Sequence, residues 1–154
     1  MTSVQHRITP ARNIPMSPIL ASACLLGRDC RYDARPLVAH PKVLRLMRQG
    51  RAVPYCAEVS GGLPVPREPA KIVGGDGDAV LDGNAKVLTA SGRDVTEAFV
   101  RGARAALAAA QAAGARQAWL KTGSPSCDPA YGVTACLLKR AGIKVLPLHS
   151  PRQA

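Results

Sequence analysis

Residues 18–23 read PILASA, a short apolar run that ends at a cysteine. An apolar run of this length between loop residues is typical of a buried strand, because a helix needs about ten residues or more. A second such run, AVPY at 52–55, also ends at a cysteine, and the segment QAWLK at 117–121 is followed by a cysteine six residues later. The sequence therefore predicts three strands, each followed by a loop that carries a cysteine.

The segments between these strands have the patterns of helices. Apolar residues recur at helical spacing in residues 40–50 and 133–140, as they do on the buried face of a helix. The Ala-rich segment 95–113 has a high helix propensity. We predict that Asp94 caps this long helix, with Glu97 as its partner in a capping box.

Two further strands are predicted at 85–89 and 143–147, so that strands alternate with helices along the chain. Such alternation predicts an α/β fold with an open, mostly parallel sheet and flanking helices, a Rossmann-like arrangement. The length of 154 residues fits a single domain. We place this domain at 17–150, with a flexible N-terminal tail at 1–16 and a short tail at 151–154.

The stretch from 57 to 83 is rich in Gly and Pro, and we predict that it is irregular. A loop of that length inside a compact domain is usually functional. Its run GGDGD at 74–78 has no Lys and no predicted helix after it. We therefore interpret the run as a turn rather than as a phosphate-binding loop.

The chain is strongly basic, with 21 Lys and Arg against 10 Asp and Glu and a net charge of +11. Such a charge favours anionic partners, nucleic acids included. The basic residues are scattered, however, and the sequence has no recognised DNA- or RNA-binding motif. We therefore expect a solvated basic surface, and keep an anionic small substrate or a thiolated tRNA as alternative explanations of the charge.

The sequence shows no apolar run of the roughly 20 residues that span a bilayer. Its first residues also lack the apolar core of a signal peptide. We expect a cytoplasmic protein that does not enter the membrane. In that compartment the five cysteines would be thiols or metal ligands rather than disulfides.

Cys24, Cys56 and Cys127 follow three of the predicted strands. Ligands of open parallel sheets bind outside the carboxyl ends of the strands, so we expect these cysteines to meet at one edge. Thiolate is the soft ligand that iron and zinc accept, and three protein ligands leave one position open, as in catalytic sites. The alternative is that each cysteine is only a small buried apolar residue.

The remaining two cysteines have different surroundings. Cys136 lies within the apolar helical segment VTACLL, where a packing role is the better interpretation. Cys30 follows Cys24 by six residues, and it fits a fourth ligand, a resolving thiol or no role at all.

Two polar residues stand close to the candidate ligands. Glu58 is two residues past Cys56, and Ser124 is three residues before Cys127. A carboxylate beside a metal centre can move protons, and a hydroxyl can orient a substrate or a water. A surface Glu and a capping Ser are the ordinary alternatives.

Several motifs, in the same order, resemble those of the DUF523 family. They are SACLLG at 22–27, CRYD at 30–33, VPYCAE at 53–58, GGLPVPR at 61–67, IVGGDG at 72–77, DVT at 94–96, SPSC at 124–127 and GVTA at 132–135. The resemblance covers about residues 18 to 148.

That family includes thiouracil desulfidases, and the resemblance implies an enzyme with a 4Fe-4S cluster. The implied cluster ligands are Cys24, Cys56 and Cys127, which leave one iron free to take the sulfur of the substrate. The resemblance assigns catalysis to Glu58 and Ser124. The implied reaction removes sulfur from a thiolated pyrimidine such as thiouracil and gives the C=O product and sulfide, with the cluster as Lewis acid and sulfur acceptor.

Three other functions remain open from the sequence. One is an iron–sulfur or persulfide sulfur-carrier module, which would need the cysteines but not Glu58. Another is a desulfurase that acts on thiolated tRNA, whose binding would be salt-sensitive. The third is a structural α/β domain with ordinary buried thiols.

Overall fold

The computed structural model describes residues 17–150. The predicted tails at 1–16 and 151–154 lie outside the described residues. Among the helices of residues 17–150, none is long and apolar enough to cross a membrane.

Strands and helices alternate along the described chain, as the sequence predicts. The strands are β1 (Ile19–Ser22), β2 (Ala52–Tyr55), β3 (Ala70–Val73), β4 (Lys86–Thr89), β5 (Gln117–Lys121) and β6 (Lys144–Leu148). The helices are α1 (Pro41–Arg48), α2 (Ala57–Ser60), α3 (Gly77–Leu81), α4 (Thr96–Ala113) and α5 (Val133–Arg140). A 3₁₀ turn at Ala23–Leu26 follows β1 directly.

Four strands form the main sheet, in the order β2-β1-β5-β6. All three neighbouring pairs are parallel, and Ile19 of β1 is aligned with Ala52 of β2 and with Gln117 of β5. The predicted open, parallel α/β sheet is therefore confirmed. Because the strands run the same way, the carboxyl ends of β2, β1 and β5 lie next to one another at one edge.

The central strand β1 is buried along its whole length, as its apolar sequence requires. Its polar residue, Ser22, is 2 % exposed, and its Oγ accepts a hydrogen bond of 3.0 Å from the backbone N–H of Lys121 in β5. This bond joins the carboxyl ends of β1 and β5 beyond the point where their ladder stops. It keeps the loops that follow the two strands close together.

The long helix α4 packs on the sheet with small residues. Ala106 and Ala110 are fully buried and belong to the same apolar cluster as Leu20 and Leu120 of the sheet. Alanines on this face let the helix approach the sheet closely, and they also explain its high helix propensity. The predicted capping box is wrong in detail, because Val95 is the N-cap and Asp94 Oδ1 instead accepts from the Thr96 N–H at 2.9 Å.

The stretch 57–83 is irregular only in part, so that prediction is wrong for the rest. It contains α2, β3 and α3. Strand β3 pairs antiparallel with β4 in a two-stranded sheet separate from the main one. We call residues 70–89, which comprise β3, α3 and β4, the ribbon. The predicted strand at 85–89 thus exists, but it belongs to the ribbon and not to the parallel sheet.

The run GGDGD at 74–78 starts a helix, contrary to the prediction of a turn with no helix after it. Asp76 is the N-cap of α3, and its Oδ1 accepts from the Ala79 N–H at 2.9 Å. The N–H of Gly77 bonds to the Tyr131 carbonyl at 2.7 Å, in the loop that follows β5. A Cβ at Gly77 would lie 2.6 Å from that carbonyl oxygen, so glycine permits the contact.

Two glycines let the short helix α2 pack against α4 at backbone contact. A Cβ on Gly102 would come within 1.9 Å of the Ala57 carbonyl oxygen, and a Cβ on Gly61 within 2.1 Å of the Ala98 carbonyl oxygen. Only hydrogen fits at either position. A helix of four residues has little stability alone, so this packing fixes the segment that carries Cys56 and Glu58.

Candidate active site

A cavity of about 300 Å³ lies at the carboxyl edge of β1, β2 and β5. All five residues singled out as a site, Cys24, Cys56, Glu58, Ser124 and Cys127, are part of its wall. The structure therefore brings together residues that are far apart in the sequence.

Each candidate ligand is positioned by the first residues after a strand. Cys24 lies in the 3₁₀ turn after β1, which closes at Gly27 with a left-handed φ of +77°. Cys56 is the N-cap residue of α2, directly after β2. Cys127 lies in the loop between β5 and α5. All three thiols are free and partly buried.

The loop that carries Cys127 is held by its own polar groups. Ser124 Oγ accepts from the N–H of Ser126 at 3.1 Å and from the N–H of Cys127 at 3.3 Å. Asp128 Oδ2 accepts from the Gly123 N–H at 2.7 Å, and Asp128 Oδ1 from the Ala130 N–H at 2.9 Å. These bonds fix the backbone around the thiol without help from a regular element.

The surroundings of the thiols favour their protonated forms. Burial raises the pKa of Cys127 to about 11, against the opposing effect of hydrogen bonds from Ser126 and Ser22. Hydrogen bonding with Cys30 and burial raise the pKa of Cys56. Hydrogen bonding with Cys24 is the main cause that raises the pKa of Cys30 to about 11. A metal that binds here must therefore displace protons.

Glu58 and Ser124 touch each other across the cavity. Ser124 Oγ donates to Glu58 Oε2 at 3.3 Å, although the two residues are 66 positions apart in sequence. The other carboxylate oxygen, Oε1, accepts from Arg67 Nε at 3.3 Å. The carboxylate thus has one donor on each oxygen. A proton acceptor and a hydroxyl lie side by side in the cavity wall, which is an arrangement that can orient and deprotonate a water.

Two cavity residues were not singled out as site residues from the sequence. Arg67 is the ion-pair partner of Glu58, and their side chains are 5 % and 16 % exposed. Cys30, left out of the predicted ligand set, also lines the cavity, and its carbonyl oxygen accepts from Cys56 Sγ at 3.7 Å. Arg67 lies in the motif GGLPVPR, and its position nine residues after Glu58 in an irregular segment gave no periodic signal.

Cys136 lies apart from this group. It is 4 % exposed in α5 and belongs to the apolar core, which confirms the predicted packing role.

The thiols of the cavity wall are soft donors, the kind that a metal cluster needs. Within residues 17–150, no three His, Cys, Asp or Glu side chains are close enough together to hold one metal ion. The three thiols instead stand around a cavity, one from each of three loops. Spaced soft donors around an open volume are the donor set of an iron–sulfur cluster. Cys24, Cys56 and Cys127 provide thiol donors of this kind in the cavity wall.

The fold and the cavity together define a class of protein: a small parallel α/β protein with a cysteine-lined reaction cavity at the carboxyl edge of its sheet. The model of a family described as 2-thiouracil desulfurase matches residues 19–147. The chain belongs to this family.

One relative and one solved structure show the same likeness. Protein YbbK of Bacillus subtilis (strain 168), which is described as uncharacterized, is 44 % identical in an alignment of 142 positions that covers 83 % of this chain and 93 % of that protein. The solved structure of the 4Fe-4S-dependent thiouracil desulfidase TudS, a DUF523 protein, superposes with a TM-score of 0.75 at 40 % identity, over 85 % of this chain and 90 % of that one. The predicted resemblance to the DUF523 family is confirmed.

Proposed function

We propose that this protein is an iron–sulfur-dependent desulfidase that converts the C=S group of a thiolated pyrimidine, such as thiouracil, to C=O and releases sulfide. The observation that carries the proposal is the convergence of three free thiols, a carboxylate and a hydroxyl on one cavity. Membership of the 2-thiouracil desulfurase family and the likeness to TudS support it.

Cys24, Cys56 and Cys127 would hold a 4Fe-4S cluster, with no further predicted ligand from the chain. When bound, the cluster supplies a Lewis-acidic iron that polarises the C=S bond and accepts the sulfur. Lys121, a basic side chain in the same cavity wall, would offset part of the negative charge of the three thiolates.

Glu58 and Ser124 would carry out the proton chemistry. The reaction consumes one water and yields the carbonyl product and hydrogen sulfide, so it needs no net electron transfer. Ser124 Oγ is placed to orient the attacking water, and Glu58 Oε2, 3.3 Å away from that oxygen, is placed to take its proton. Glu58 then returns this proton to the departing sulfur, which leaves as HS⁻, and the second proton of the water passes to solvent as the C=O bond forms.

The shape of the cavity favours a small substrate. The cavity of about 300 Å³ would hold the cluster as well as the substrate, which favours a substrate no larger than a single heterocycle. A thiolated base within tRNA would have to be turned out of its stack to reach the thiols.

We further place the protein in the cytoplasm, since Cys24, Cys30, Cys56, Cys127 and Cys136 are all free thiols, as in a reducing compartment.

The test is an anaerobic assay. The protein is reconstituted with iron and sulfide, and the loss of thiouracil absorbance is followed with sulfide release measured in parallel. We expect one sulfide per thiouracil consumed, and no turnover by the Cys127→Ala variant. Cys136→Ala, which removes a thiol outside the cavity, is the matched control and should keep its activity. Equal activity of wild type and Cys127→Ala would overturn the proposal.

A further inference from the structure

The most constrained cation of the cavity is Arg67. Its side chain is 5 % exposed, and its guanidinium uses all three nitrogens. Nε donates to Glu58 Oε1 at 3.3 Å, Nη2 to the Cys30 carbonyl at 2.8 Å, and Nη1 to the Pro64 carbonyl at 3.1 Å. Its backbone N–H also bonds to the Tyr32 carbonyl at 2.7 Å. One residue thus connects the 30–32 segment to Glu58.

These contacts determine where the Glu58 carboxylate points. Its two oxygens have different partners, Arg67 on Oε1 and Ser124 on Oε2. A donor on each oxygen fixes both the position and the plane of the group. Without Arg67, Glu58 would keep only the hydroxyl partner and could turn about its side-chain torsions. A carboxylate buried without its cation is also destabilised in its charged form.

We infer that Arg67 is a positioning residue for the desulfidase reaction: it holds the Glu58 carboxylate against Ser124 so that Oε2 faces the cavity, and it fixes the Cys30 segment to the same carboxylate. The inference rests on the proposed function for its kinetic consequence. Its structural part, the coupling between Arg67 and Glu58, does not depend on any substrate.

The chemistry of the guanidinium suits this role. The three acceptors lie in different directions, and a planar fork of N–H donors reaches them together. A lysine ammonium keeps the charge but lacks the planar group of N–H donors. It can therefore bond to the carboxylate or to a carbonyl, but not to all three acceptors. We therefore expect Arg67→Lys to retain part of the function that Arg67→Met loses.

Arg101 provides a matched control. Its Nε and Nη2 donate to the Gly61 carbonyl at 3.0 and 2.8 Å, at the end of α2, the helix that carries Glu58. Among the ion pairs of residues 17–150 it has no carboxylate partner. Arg101→Met thus removes an arginine that fixes the same segment without touching Glu58.

The kinetic experiment compares Arg67→Met, Arg67→Lys and Arg101→Met in the reconstituted protein, with Arg67→Met also made in the Glu58→Gln background. Iron per chain, kcat and KM for thiouracil are measured. We expect Arg67→Met to lower kcat by about 100-fold, the scale of a misplaced catalytic group, with unchanged iron and KM. Arg67→Lys should lose less, and Arg101→Met should keep its kcat. In Glu58→Gln the added Arg67→Met should change nothing further.

Two kinetic results would overturn the inference. One is an unchanged kcat in Arg67→Met. The other is an equal loss in the wild-type and Glu58→Gln backgrounds, which would indicate a structural role independent of the carboxylate. If Arg67→Met fails to retain iron, Arg67→Lys is measured in the wild-type and Glu58→Gln backgrounds instead. An equal loss of kcat in both backgrounds would then overturn the inference.

A urea unfolding series separates this inference from the proposed function. Wild type, Arg67→Met, Glu58→Gln and the double variant are unfolded without substrate. The double variant should shift the unfolding midpoint by less than the sum of the single shifts, because both changes remove one contact. Additive shifts would overturn the Arg67–Glu58 coupling. A wild-type protein that shows the coupling but no thiouracil turnover would refute the proposed function alone.

Discussion

The carboxyl edge of the main sheet, where the cavity lies, and the ribbon are stabilised by different kinds of interaction. At the edge, the segments after β1 and β5 are held by side-chain to backbone hydrogen bonds, such as those of Ser22 and Ser124. The ribbon is held by apolar packing, in which Val80 and Val87 bury themselves against Phe99 of α4. Polar groups surround an open volume in the first region, and apolar groups fill the space in the second.

Because of this difference, we expect residues of the edge to affect the reaction and residues of the ribbon to affect the stability of the fold. Thiols and carboxylates that face a cavity contribute little packing, so their removal should affect the reaction far more than the fold. Side chains in the ribbon core contribute burial, so their removal should affect the fold and leave the reaction of the folded fraction unchanged. Variants of single residues distinguish those that act in the reaction from those that stabilise the fold.

The largest effect is expected from Cys56→Ala. The variant loses one of three proposed ligands, and we expect it to retain no stable cluster and no thiouracil turnover. Iron analysis and the absorbance assay measure both losses, and urea unfolding of the metal-free protein should stay close to that of metal-free wild type. Cys136→Ala is the control, with its iron retained. A Cys56→Ala variant that keeps full iron would place Cys56 outside the ligand set.

Phe99→Ala should have the largest effect on the fold. Phe99 is 1 % exposed and lies at the centre of the cluster that joins α4 to the ribbon. We expect a loss of about 4 kcal/mol in the free energy of unfolding, as for other buried aromatic truncations. Denaturant unfolding measures this loss. A fall in kcat per iron-loaded chain would contradict the view that the ribbon core stabilises the fold without affecting the reaction.

Glu58→Gln tests the edge without removing a ligand. The amide is isosteric but cannot accept the proton of the water, so kcat should fall by about 100-fold. Iron per chain should remain at the wild-type level. Glu97→Gln, in the first turn of α4, is the control for loss of one negative charge. An active Glu58→Gln variant would favour the sulfur-carrier alternative.

The smallest effect is expected at the start of α3. Asp76→Ala removes the side-chain cap on the Ala79 N–H, which costs about 1 kcal/mol at a typical helix N-terminus. Chemical unfolding should show this loss, and thiouracil turnover should not change. A turnover defect would mean that the GGDGD run belongs to the reaction site and not only to the ribbon.

The sequence predicts the edge well because its signals are local. Apolar runs that end at Cys24 and Cys56 identify β1 and β2, and the rule for parallel sheets then predicts that the following loops meet. The pairing of Glu58 with Ser124 goes beyond that rule. It depends on side-chain directions in two loops 66 residues apart.

The elements of the stretch 57–83 are too short to predict from the sequence. Strand β3 has four residues of alternating partial exposure, AKIV, and α2 has only four residues, so neither gives a periodic pattern. Helix α3 starts in a Gly-rich run, where Asp76 acts as its cap. Arg67 gives no signal in the sequence for a related reason, since only tertiary structure brings its partners, Glu58 and the Cys30 carbonyl, together.

The central claim is that Cys24, Cys56 and Cys127 together hold a 4Fe-4S cluster. Its most direct test is iron and acid-labile sulfide per chain, with a visible spectrum, after anaerobic reconstitution of wild type, the three single Cys→Ala variants and Cys136→Ala. We expect about four iron and four sulfide per chain in wild type and Cys136→Ala, and loss of both in the other three. A colourless, iron-free wild type, or a Cys127→Ala variant with a full cluster, would contradict it.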